Sequence, residues 1–200
     1  MRIASHIISV LFHPMLMPTI GMFLIFQMGT HLSFMPLQAK QSILIVIFVT
    51  TAVLPVSILP LLYQFKIINS FRMETARERF IPILITAFFY YSGYILLKKM
   101  GAPAMLDKFI VSSLIAVLLA SIISFFWKIS IHALGIGGVT GIITALSLMY
   151  GIDVFPWLTL LLTASALTAS ARLYLGDHKP AQVYAGYFLG FLIVFGMVMF

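Results

Sequence analysis

The chain has 200 residues, 62% of them hydrophobic and only 8% charged, with a mean hydropathy of +1.13. Seventeen charged side chains cannot coat a 22.3 kDa soluble globule, whereas lipid needs no such coat, so soluble enzymes and disordered tails are excluded. The absence of cysteine excludes disulfide scaffolds, thiolate metal sites and cysteine nucleophiles; a net charge of +7 on short loops points to lipid headgroups or phosphate, not nucleic acid.

The first apolar run, Ile7 to Met28, is interrupted by His13, Pro14 and Pro18 and lacks a small-residue cleavage site, so it is read as a membrane helix rather than a signal peptide. Further runs follow at Ser42 to Phe65, Phe80 to Leu97, Phe109 to Trp127, Ile131 to Tyr150, Val154 to Ala171 and Ala181 to Phe200, each close to the roughly 20 residues that span a hydrocarbon core. Seven spans are expected. Pro55 and Pro60 should kink the second run or end it early, and the glycine-rich fifth run could be short or re-entrant, which leaves six as the alternative. The fold class is an all-α polytopic membrane bundle forming one domain, residues 1–200.

With seven spans, one face carries Lys40, Lys98, Lys99 and Lys108. The other carries the remaining eight basic residues, at Arg2, Lys66 to Arg79, Lys128 and Arg172 to Lys179. The positive-inside rule would place the second face in the cytoplasm. Setting aside Arg72, Arg79, Lys128 and Arg172 as candidate phosphate ligands leaves four on each side, and orientation stays open.

Three segments on the charge-rich face gather most of the polar chemistry. In the first, Arg72 and Arg79 lie seven apart, two turns along one helix face, where guanidinium forks suit a phosphate monoester. The competing account is an interfacial segment whose bases meet headgroups while Glu74 and Glu78 pair with arginines. In the second, Lys128-Ile129-Ser130-Ile131-His132, Ser130 is placed to cap a helix with His132 in its first turn. Free amides there bind anions, and a histidine can protonate a leaving oxygen. Gly141, Gly186 and Gly190 are read as helix-packing residues. In the third, Gly176 ends a helix and Pro180 starts the next, so His178 sits in a tight turn beside Arg172, Asp177 and Lys179. An imidazole there could attack phosphorus.

Together these segments resemble the type 2 phosphatidic acid phosphatase (PAP2) superfamily of membrane enzymes. Its motifs run Lys-x6-Arg-Pro, Pro-Ser-Gly-His and Ser-Arg-x5-His-x3-Asp, in that order. Arg72-x6-Arg79, Ile129-Ser130-Ile131-His132 and Arg172-x5-His178-x3-Gln182 are similar to them, over roughly Arg72 to Gly190. The resemblance implies a PAP2-like core over residues 66–200, preceded by two spans without motifs over 1–65. It further implies His178 as nucleophile and His132 as acid. Arg72, Arg79 and Arg172 would clamp the phosphate, aided by Ser130 and Lys128. Departures are Arg72 for Lys, Pro82 displaced from the first motif, Ile129 and Ile131 for Pro and Gly, and Ala171 for Ser. Gln182 stands where the family's orienting carboxylate belongs, and in a serine-protease triad the comparable change costs about 10⁴ in kcat. Asp177 is the candidate substitute.

The implied function is metal-independent hydrolysis of a lipid phosphomonoester or pyrophosphate in a bacterial inner membrane, with no cofactor. An inactive relative that binds or transports a phosphorylated lipid is the alternative, and a small carrier with a helix broken at Pro55 and Pro60 is a weaker one. His13, costly in lipid, is a functional candidate; a break at His13-Pro14 or an internal hydrogen bond is the plainer account. The histidines lack metal-ligand spacing, and the methionines and phenylalanines are packing residues.

Overall fold

The structure is a computed structural model describing residues 2–69 and 76–200, with all their side chains except those at 76, 77 and 79. The described residues are helical without strands, in the order α1 (Arg2–Leu11), α2 (Met17–Gln27), α3 (Leu37–Phe48), α4 (Leu54–Gln64), α5 (Ala76–Lys99), α6 (Ala104–Phe126), α7 (Ile131–Tyr150), α8 (Phe155–Tyr174) and α9 (Pro180–Met199). The protein is an all-α polytopic membrane bundle.

Among the described residues, five helical rods are long and apolar enough to cross a membrane: α3 with α4, then α5, α6, α7 and α9. The rod of α3 and α4 runs unbroken for 28 residues. Its prolines do not end it. Pro55 has no N–H for the Thr51 carbonyl and its ring crowds that carbonyl, and the ladder widens into a π-helical turn at Val49–Val53 immediately before it. The glycine-rich run is a full 20-residue helix, α7, and the most buried of the five. α8 matches α7 in length but is less apolar, because Thr159, Thr163, Ser165, Thr168, Ser170 and Arg172 lie along it.

The first apolar run is not one helix. The residue before a proline leaves the α region and Pro14 offers no donor, so α1 stops at Leu11 and α2 begins at Met17. Two turn bonds, Leu16 N–H to the His13 carbonyl at 2.9 Å and Met17 N–H to the Pro14 carbonyl at 3.3 Å, bridge the break. The Thr51 hydroxyl, on the π turn, donates to the Met15 carbonyl at 3.2 Å. The same hydroxyl lies 2.8 Å from the Ile47 carbonyl of its own helix, so its one proton is shared between that carbonyl and the one at the break.

The main buried cluster draws on α2, α3, α5, α6, α7, α8 and α9. Leu97, Leu106, Ile110, Ile143, Leu146 and Val198 belong to it, and so does Phe109. α7 and α9 pack along a seam of glycines: a Cβ at Gly137 would strike the Tyr187 carbonyl, and one at Gly190 the Leu134 carbonyl. That close approach brings the starts of the two helices together, where Ser130 N–H donates to the Gln182 carbonyl at 3.1 Å.

Candidate functional site

Where the α6–α7 and α8–α9 junctions meet, the chain leaves a cavity of about 540 Å³. Lys128, Ile129, Ile131 and His132 from the α6–α7 junction line it, with Arg172, Leu175, Asp177 and His178 from the α8–α9 junction. Pro82, Ile83, Thr86 and Tyr90 of α5 form another wall, and Phe109, Val117, Val139 and Val194 carry it down into apolar surroundings. Two of the three polar segments therefore converge on one space. Of the first, Pro82 reaches the wall; Arg72 and the Arg79 side chain lie outside the described residues. Glu78 is buried and accepts a hydrogen bond from the Asn69 amide.

Local sequence explains how each group is held. Ser130 is the N-cap of α7 and its hydroxyl accepts from Ala133 N–H at 3.4 Å. It is wholly buried and does not line the cavity, so its hydroxyl serves the helix start there. One residue into the helix, His132 points its Nε2 at the Ser9 carbonyl, 3.2 Å away. A carbonyl only accepts, so Nε2 carries the proton and Nδ1 is the nitrogen left for exchange.

Gly176, at φ +72°, lets α8 end in a Schellman turn. Asp177 N–H returns to the Arg172 carbonyl at 3.2 Å and Gly176 N–H to the Leu173 carbonyl at 3.0 Å. The same reversal lays the Asp177 carboxylate on the Arg172 guanidinium at 2.8 Å. Arg172 Nη1 also reaches the Ser9 hydroxyl at 3.5 Å, while its Nε is buried without a partner among the described residues.

His178 follows in the turn. Burial, then the cations of Arg172 and Lys128, push its imidazole down to about 4; hydrogen bonds with the Lys128 backbone and the Gln182 side chain oppose the shift. At neutral pH the ring is an uncharged base. Its Nδ1 is buried with no partner among the described residues. Gln182, buried behind it, is the N3 residue of α9, and its Oε1 accepts from Lys179 N–H at 2.9 Å in a capping box. The residue standing at the carboxylate position thus touches His178 while also fastening the helix start, whereas Asp177 pairs with Arg172.

The N-terminal helix is the wall the motifs did not announce. Arg2, His6 and His13 line the cavity, and Ser5 and Ser9 of α1 are buried. The signal was present in the spacing: Arg2, His6, Ser9 and His13 recur every three or four residues on one helical face, while Ile3, Ile7, Val10 and Leu11 are exposed on the other. α1 buries its two serines, keeps Arg2 and His6 exposed at the cavity, and turns Ile3 and Ile7 outward.

Among the described lining residues, Asp177 is the sole acid against Arg2, Lys128, Arg172 and four histidines. Among the described residues no three His, Asp or Glu side chains converge as metal ligands. The donor set instead matches a tetrahedral oxyanion: guanidinium, ammonium and imidazole N–H groups around a partly desolvated space. Comparison with protein-family models, curated proteins and solved structures finds no match.

Proposed function

We propose that this membrane protein is a PAP2-type lipid phosphatase that hydrolyses a phosphomonoester or pyrophosphate of a lipid, and that it resides in a bacterial inner membrane. The observation that carries the reading is the convergence of Lys128, His132, Arg172 and His178 on one cavity whose deeper walls are apolar. An amphiphile with an anionic head fits that gradient. Arg172 and Lys128 draw the phosphoryl group toward His178. The neutral ring attacks phosphorus, an N–P bond forms, and the bond to the leaving oxygen breaks. His132, anchored through Nε2 on the Ser9 carbonyl, takes a proton at Nδ1 from the monoprotonated phosphoryl group and passes it to that oxygen as the bond breaks. Water then cleaves the phosphohistidine and frees phosphate.

A second reading is favoured by one specific observation. Neither group beside His178 supplies it a carboxylate: Gln182 is an amide, and Asp177 is engaged by Arg172. A protein that binds or transports a phosphorylated lipid needs the cavity but not that charge. Phosphate release by purified protein from a panel of lipid phosphates and pyrophosphates, with and without chelator, separates the two. Chelator-resistant release that disappears in His178→Ala supports the phosphatase; binding without release across the panel supports the carrier.

A further inference from the structure

His13 stands where a membrane chain has most to lose by placing an imidazole: at the break between α1 and α2, among apolar helices. Two irregular backbone features flank it, the Pro14 break and the π turn, whose Thr51 hydroxyl shares its proton between the Ile47 and Met15 carbonyls. Its Nδ1 accepts the Met15 N–H at 3.4 Å. In the neutral ring the proton must then reside on Nε2, which makes that nitrogen a donor. The ring stands edge-on to His132, centroids 5.4 Å apart, and lines the same cavity as Arg172 and His178.

We propose that His13 is a ligand-contacting residue of the site, its Nε2–H donating to a phosphoryl oxygen of the anion held by Arg172 and His178. The inference deepens the phosphate reading and rests on it. It adds the N-terminal segment, which carries none of the three motifs, to the binding machinery. The ligand chemistry is a tetrahedral phosphate or phosphonate oxyanion, whether free or as the head of an amphiphile. A neutral donor suits this position because a third fixed cation beside Arg172 and Lys128 would raise the repulsion in the unliganded cavity.

The test uses the full chain in detergent, with dodecylphosphonate as a head-and-tail probe whose C–P bond resists hydrolysis, and inorganic phosphate as the head alone. Glutamine places an amide near the His Nε2 position and asparagine near Nδ1, so the two variants separate donation to ligand from the local bond to Met15. His13→Gln should keep dodecylphosphonate affinity within about threefold, and His13→Asn and His13→Phe should lose roughly tenfold, as expected for one hydrogen bond to a charged acceptor. Melting temperatures of the same variants check that the loss does not simply follow stability.

The opposite order, with Asn retaining affinity and Gln losing it, overturns the proposal in favour of a purely local role at the break. Equal affinity in all four proteins, or no binding of either probe by the wild type, overturns it as well. The same His13 dependence for inorganic phosphate as for the phosphonate supports it and names the head alone as sufficient; tight binding of the phosphonate only supports it with an amphiphilic ligand. Phosphate release from dodecyl phosphate is followed in parallel. Binding that depends on His13 without any release defeats the phosphatase reading and leaves this one standing.

Discussion

Arg172 and Asp177 close on each other at 2.8 Å because the Schellman turn at Gly176 folds the chain back over the last turn of α8. The carboxylate is 42% exposed and the guanidinium 15%, so the pair sits at the mouth of the cavity with its acid partly in water. A ligand that wants Arg172 has to compete with it.

Asp177→Asn should therefore tighten binding of an anionic amphiphile. A partly exposed pair contributes little by itself, and the expected gain is about threefold at low ionic strength, shrinking as salt screens the cavity. Titration of dodecylphosphonate at two salt concentrations measures it. Weaker binding by the variant would instead make Asp177 a group that holds His178 in place.

The pH dependence follows from His178. Its pKa in the folded protein, about 4, lies below the usual histidine value, so between the two the unfolded chain binds more protons than the folded one. The stability it contributes is complete above the ordinary histidine range and is lost as pH falls toward 4. The cations of Arg172 and Lys128 face the ring, while Gln182 beside it has no ionisable group. Melting temperatures taken from pH 7.5 downward should fall more steeply for the wild type than for His178→Gln. Adding dodecylphosphonate should flatten the wild-type curve, since a bound dianion favours the charged ring.

The α7–α9 seam gives a test of packing. Gly190→Leu drives a side chain into the Leu134 carbonyl and should destabilise by about 1–3 kcal/mol or more, with loss of ligand binding as Ser130 and Gln182 are pushed apart. A Cβ at Gly196, on the same helix, meets nothing within 4 Å, and Gly196→Ala should leave both melting and binding unchanged. Equal effects from the two would mean that the seam does not set the site.

Period and punctuation made much of this architecture legible. The Gly176 and Pro180 signals placed the α8–α9 turn, and Ser130 marked the start of α7, because caps and stops are decided by local chemistry. Pro55 disturbs its helix without ending it: its missing hydrogen bond falls next to a π turn, an accommodation whose form no local rule supplies. The site was half visible. His132, Arg172 and His178 could be picked out because polar residues are scarce at membrane helix ends, but Ser9 meets His132 and Arg172 only through folding, across more than a hundred residues of chain. The polar face of α1 was written in the spacing of Arg2, His6, Ser9 and His13, yet masked by reading the run from Ile7 as one apolar helix.

The most informative single change is Gln182→Glu. Glutamate keeps the length of glutamine, so its Oε1 can still accept from Lys179 N–H and hold the α9 capping box, which the shorter aspartate cannot reach as easily. It adds the negative charge that His178 lacks. An acid in contact with an imidazole favours its protonated form, so the His178 pKa should climb from about 4 by about 1–3 units. The positive charge that develops on the ring during attack at phosphorus would be stabilised in the same way, and phosphate release should rise by at least about tenfold. NMR titration of the ring and a single-turnover release assay read the two effects separately. A raised pKa with faster release identifies a phosphatase whose nucleophile is under-supported in the native chain. A raised pKa with no release shows that the charge was delivered to the ring and that the cavity holds its anion without breaking it.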